Sequence, residues 1–87
     1  MKIQIYVSPF CGFCSRARDL LGSKGIDFEE IDVFSVTGAR EEMTRRTGGL
    51  TSVPQIFADD VYVGDCDAIH RLEAKGELDA VLGLSVT

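Results

Sequence analysis

The hydrophobic period of this chain changes twice within residues 1–33, and that alternation restricts the fold more than any other feature. Ile3, Ile5 and Val7 recur at period two in a β-branched and aromatic segment, which predicts a strand over residues 2–7. Ser8-Pro9-Phe10 breaks it. From Cys11 the spacing turns helical, with Cys14, Ala17, Leu20 and Leu21 on one face, Arg16, Arg18 and Lys24 off it, and Gly22 and Gly25 marking the end. Residues 26–33 predict a second strand, with Ile26, Phe28 and, after a shift in phase, Ile31 pointing inward. Two strands joined by a helical crossover pair in parallel with right-handed connection.

The remainder continues in the same idiom. Thr37-Gly38-Ala39-Arg40 opens a shorter, more polar helix through about Arg46, and Thr47-Gly48-Gly49 closes it. Gln55-Ile56-Phe57 after Pro54 reads as a third strand, Asp59-Asp60 as a hairpin turn, and Val61-Tyr62-Val63 as a fourth strand. A helix from about Asp65 puts Ala68, Ile69 and Leu72 at core spacing. Gly76 interrupts it before a last turn over Glu77–Leu82. A parallel unit followed by an antiparallel hairpin is satisfied by an α/β fold: a four-stranded mixed sheet with helices on both faces, in a single domain over residues 1–87.

Composition narrows the function classes. A net charge of −5 disfavours a nucleic-acid surface, since phosphate binding needs clustered Lys and Arg, so no nucleic-acid partner is expected. No run approaches the ~20 apolar residues that span a bilayer, and the opening residues are too polar for a secretory leader. A cytoplasmic location without membrane association is the resulting expectation. Thiols stay reduced there, so three cysteines do not read as a disulfide framework.

The chemistry concentrates at Cys11-Gly12-Phe13-Cys14, at the junction of strand and helix. A helix start offers unpaired N–H groups and the positive end of the helix dipole, which favour a thiolate at Cys11. Cys14 lies one turn on, within reach of the Cys11 sulfur for reversible disulfide closure. Two blander readings compete. A zinc site can be drawn from Cys11, Cys14, Cys66 and His70, but structural zinc usually ties loops together, and this domain is already ordered. Two incidental buried cysteines fit poorly beside Pro9 and Gly12. Cys66 otherwise reads as a helix-start residue, His70 as a polar helix residue, Arg16 as a surface residue, and Arg45-Arg46 as a solvated face. Thr51-Ser52-Val53-Pro54 leads into a strand, and Val53 would present an unpaired backbone edge to an extended peptide. On frequency alone its proline is read as trans.

Taken together, these residues resemble the dithiol glutaredoxins, close to the small bacterial class, over essentially the whole chain. The resemblance rests on Ile5-Tyr6, Cys11-x-x-Cys14 with Arg16-Ala17, Leu20-Leu21 with Lys24-Gly25, Arg40-Glu41-Glu42-Met43, Val53-Pro54-Gln55-Ile56-Phe57 and Gly64-x-Cys66-Asp67. It implies a thioredoxin-like fold, Pro54 in cis, and glutathione as co-substrate with no tightly bound cofactor. It implies catalytic Cys11 and Cys14, and glutathione contacts at Phe13, Arg40, Val53, Pro54, Cys66 and Asp67. The glutathione backbone would lie along Val53 and its γ-glutamyl carboxylate at the helix start near Cys66, a natural anion site. Asp67 would accept from the ammonium group, and Arg40 would meet the glycyl carboxylate.

Departures from the family pattern are specific. Gly12 and Phe13 replace the usual Pro and Tyr, the lysine common before the nucleophile is missing, and Asp65 stands where a second glycine is usual. The leading expectation is a monomeric enzyme that reduces protein disulfides and protein–glutathione mixed disulfides, at a family potential of about −200 to −230 mV. The alternative is a glutathione-ligated iron–sulfur cluster-binding homodimer, in keeping with single-cysteine relatives that Gly12-Phe13 resemble. A third is a protein of this shape reduced by thioredoxin reductase.

Overall fold

The computed structural model describes residues 2–84. Its elements run β1 (Ile3–Val7), α1 (Gly12–Ser23), β2 (Glu29–Asp32), α2 (Ala39–Thr47), β3 (Gln55–Ala58), β4 (Val61–Gly64), α3 (Cys66–Ala74) and α4 (Leu78–Val81). The four strands form one mixed sheet in the order β2-β1-β3-β4. β1 is parallel to β2 and antiparallel to β3, and β3 is antiparallel to β4. The expected α/β fold, with helices on both faces, is the observed one.

Alternation along β1 builds two cores. Ile3, Ile5 and Val7 face a core shared with Cys14, Ala17 and Leu21 of α1, Cys66 and Ile69 of α3, and Leu78 of α4. Tyr6 faces the other way and packs with Val33, Ala39, Met43 and Phe57 beneath α2. Central β1 and β3 are buried on both sides, so they carry the β-branched and aromatic residues. Asp59 and Asp60 both take positive φ, 49° and 69°, as a two-residue primed turn requires. Lys24, at the end of α1, spans to α3 and α4 through Glu73 at 2.6 Å and Asp79 at 2.7 Å.

Four expectations need correction. The second strand is shorter than residues 26–33: Ile26 and Phe28 pack on the first core before pairing with β1 begins at Gln4–Glu29. Ile31 packs on the opposite core, so the alternation continues unbroken and the expected shift in phase does not occur. Arg46 is not solvated. Its guanidinium lies 4.0 Å from the Phe57 ring centroid and donates to Tyr6 Oη at 2.8 Å and Gln4 Oε1 at 3.1 Å. Tyr6 Oη in turn bonds Glu42. Burying an aromatic pair beneath a polar helix leaves one face for a planar cation to cover. Finally, the Val53–Pro54 bond is cis, contrary to the frequency-based reading and as the resemblance implied.

Candidate active site

Three chain segments converge at one end of the sheet: the start of α1, the loop before β3 and the start of α3. Cys11 is the N-cap of α1, in extended conformation, with the helix proper beginning at Gly12. Its Sγ accepts the Cys14 N–H at 3.2 Å, and its carbonyl accepts Ser15 N–H at 3.1 Å. The sulfur thus occupies the place usually held by a Ser or Asp capping oxygen. No acidic residue stands in the first turn of α1, so nothing there offsets the positive end of the helix.

Cys14 has a different environment. Its side chain is fully buried, and burial, followed by the hydrogen bond with Cys11, pushes its thiol up to about 11. A Ser8 backbone hydrogen bond and the Arg18 charge pull the other way without prevailing. Cys14 therefore keeps its proton at neutral pH, while Cys11 lies only partly buried at the rim. Both sulfurs are free thiols, and the half-exposed one is the one a substrate can meet.

Beside them is a groove of about 230 Å³ lined by Phe13, Ser52, Val53, Pro54, Asp65, Cys66 and Asp67. Five of the residues expected to contact glutathione are brought together there. Val53 is half-buried and lies outside the strand ladder, since β3 pairing begins at Gln55. Opposite it, helix geometry gives the Cys66 and Asp67 N–H groups no acceptor within α3. The Asp65 carboxylate caps this helix by taking Ala68 N–H at 2.9 Å.

Arg40, the sixth expected contact, lies outside the groove. Its Nη1 donates to Thr51 O at 2.5 Å and its guanidinium sits 5.8 Å from the Phe34 ring centroid. It braces the chain just before the groove wall and lines a separate hollow with Glu41, Thr44, Arg45 and Thr51. Larger hollows than the groove exist, at about 380 and 420 Å³, but neither contains a cysteine.

Cys66 and His70 form a local pair rather than part of a metal cluster. His70 Nδ1 is 2.8 Å from the Cys66 carbonyl and 3.5 Å from its Sγ. Burial pushes the Cys66 thiol up, and the Arg16 charge partly opposes this. Among the described residues no three His, Cys, Asp or Glu side chains are grouped to hold a metal, so the zinc constellation drawn from Cys11, Cys14, Cys66 and His70 is not assembled. Arg16 lies 6.0 Å from the Phe13 ring centroid.

No role at the site is expected of Gln55 from the sequence, and Asp65 is named there as a departure beside the helix start without its capping role. Gln55 is buried, donates to Ser52 O at 3.0 Å and accepts from Tyr62 Oη at 2.6 Å, which fixes the loop carrying Val53. Asp65 forms part of the groove wall as well as the cap. A polar residue opening a strand that is otherwise apolar was the available signal for Gln55. For the capping role of Asp65 it was the Asp at the very start of the helical pattern read there.

Comparison with known proteins agrees with this geometry. The family model described as glutaredoxin matches residues 3–63. The chain is 44% identical over 81 residues to glutaredoxin 3 of Escherichia coli, covering 93% of this chain and 96% of that protein. It is 44% identical over 80 residues to a glutaredoxin of Pseudomonas aeruginosa, covering 92% and 94%. Among solved structures, a glutaredoxin from Brucella melitensis superposes with a TM-score of 0.79 at 41% identity, covering 99% of this chain and 95% of that one. No helix among the described residues is long and apolar enough to cross a membrane. With its family model matched across the strand–cysteine–helix unit and the proline loop, this chain belongs to the glutaredoxin family of thiol–disulfide oxidoreductases.

Proposed function

We propose that the chain is a glutathione-dependent reductase of protein–glutathione mixed disulfides and protein disulfides, with Cys11 as nucleophile and Cys14 as resolving thiol. One observation carries the reading: Cys11 Sγ caps α1 at a solvent-reachable rim, while Cys14 is buried and holds its proton. In the first route the Cys11 thiolate attacks the glutathione sulfur of a mixed disulfide, and the protein thiolate leaves and takes up a proton. A second glutathione thiolate then attacks the Cys11-bound sulfur, releasing oxidised glutathione and restoring Cys11. In the second route Cys11 attacks a protein disulfide. Cys14 displaces the bound protein thiol by attacking Cys11 Sγ, its proton passing to the leaving thiolate, and an internal disulfide forms. Two glutathiones reduce that bridge.

Glutathione is placed by this reading in the groove between Val53 and the start of α3. Val53 offers an unpaired backbone edge, Cys66 and Asp67 offer N–H donors to its γ-glutamyl carboxylate, and Phe13 packs beside it. A distantly related buckwheat glutaredoxin has been solved as a glutathione complex. Arg40 holds Thr51, next to the groove residue Ser52, and would meet the glycyl carboxylate of glutathione from there. The protein works as a monomer in the cytoplasm, as one domain over residues 1–87. The test is a coupled assay on a small glutathione mixed disulfide. Turnover is expected with glutathione and glutathione reductase, and turnover with thioredoxin reductase alone would overturn the reading.

A second reading, an iron–sulfur cluster shared by two copies, has one observation in its favour. A Cβ built at Gly12 meets nothing within 4 Å, so the space beside Cys11 is open. Cys11 and groove-bound glutathione would supply the ligands. A 40%-identical solved structure (TM-score 0.70) is described as showing metal binding of glutaredoxins. Anaerobic purification decides: a coloured, glutathione-dependent dimer would favour this reading.

A further inference from the structure

Phe10, immediately before Cys11, is set in the left-handed region at φ 58° with its side chain fully exposed, at 107% of the reference area. Neither local conformation nor packing accounts for it. A positive φ favours glycine, and a bulky residue there is an outlier. Burial gives no compensation, because the ring touches no core. Outliers of this kind persist where a site uses them. The groove assigned to glutathione does not include Phe10, so the ring is not part of that pocket.

We infer that Phe10 is a specificity-determining residue that contacts the client polypeptide, selecting clients with an apolar side chain next to the reacting cysteine. Bond geometry supplies the reason. Once a client cysteine is disulfide-bonded to Cys11, the two Cα atoms are about 4.4–6.8 Å apart. The client's neighbouring residue is then about 3.8 Å further on, as Phe10 is from Cys11. The flanking client side chain and the Phe10 ring are therefore brought within reach by the reaction itself. Phe13, two residues after Cys11, is also exposed, at 57%, but it lines the groove, which leaves Phe10 as the exposed ring outside it. An apolar flank would cover the Phe10 ring, and a polar flank would leave it in water.

The inference rests on the proposal that Cys11 is the nucleophile, and its test does not depend on glutathione. Reduced protein is mixed with two peptides whose single cysteine carries a thionitrobenzoate mixed disulfide, one flanked by leucines and one by serines. Release of thionitrobenzoate is followed under single-turnover conditions. The wild type is expected to react with the leucine-flanked peptide about fivefold faster. Phe10→Gly should erase that preference while its rate on the serine-flanked peptide stays within about twofold, and Phe10→Leu should retain most of the preference. Equal rates on both peptides in the wild type, or a uniform loss on both in Phe10→Gly, would overturn the inference. So would an unchanged preference in Phe10→Gly. Loss of turnover with glutathione reductase, with peptide selectivity intact, would instead refute only the glutathione dependence.

Discussion

Gly64 joins β4 to the cap of α3, and replacing it with alanine probes how the groove wall is held. Its φ is +145°, a region that side chains rarely adopt. A Cβ there would lie 2.4 Å from Ala68 Cβ, with the Ala68 Cα at 3.8 Å. Alanine has no rotamer through which to retreat, so the first turn of α3 must move by about 1 Å to restore contact distance. The backbone conformation costs about 1–3 kcal/mol and the overpacking about 1–3 kcal/mol, giving about 2–6 kcal/mol for Gly64→Ala. That is a large share of the roughly 4–13 kcal/mol typical of a domain this size. Ala68→Gly removes the obstructing atom and itself costs about 1 kcal/mol of helix propensity. The double variant should therefore be less destabilised than the sum of the singles by about 2 kcal/mol. Urea unfolding of all four proteins measures this. The KM for glutathione should rise in Gly64→Ala, because the displaced turn carries Cys66 and Asp67. A Gly64→Ala midpoint unchanged from wild type, or strict additivity in the cycle, would refute the reasoning.

Other consequences follow from the two cysteine environments and the cap. Iodoacetamide at neutral pH, mapped by mass spectrometry of the folded protein, should label Cys11 well before Cys14 or Cys66, because only Cys11 lies outside the buried set. Stability should fall as pH rises from about 9 to about 11: the folded state holds the Cys14 proton more tightly than the unfolded chain, so its contribution is complete below the lower value and lost through the upper. Burial of Cys66 and Tyr6 acts in the same direction, so Cys14→Ala should flatten the alkaline limb of a denaturation profile without abolishing it. Asp65→Asn keeps a capping oxygen but removes a negative charge from the groove wall. It should leave the melting temperature nearly unchanged and lower the KM for glutathione by about threefold, an effect that added salt reduces.

Strand β1 was legible because Ile3, Ile5 and Val7 share one face. The Cys11 cap was legible because a helical pattern starts there. Strand β2 was misjudged in length because its own residues, Glu29–Asp32, are mostly polar, and the apolar Ile26 and Phe28 before it pack without pairing. The buried role of Arg46 is not legible, because a charge at helical spacing gives no hint that Phe57 and Tyr6 lie beneath it. Arg40 was placed by resemblance at the ligand site, and its contact with Thr51 depends on a loop path that periodicity does not encode. Gln55 shows the same limit: its partners Ser52 and Tyr62 are set by the loop path and the hairpin register.

The division of labour between the two thiols at the start of α1 is tested most directly by comparing Cys11→Ser and Cys14→Ser on two substrates. Cys14→Ser should turn over a small glutathione mixed disulfide within about threefold of wild type and fail to reduce a protein disulfide, while Cys11→Ser should do neither. Activity surviving in Cys11→Ser, or both activities vanishing in Cys14→Ser, would contradict the account.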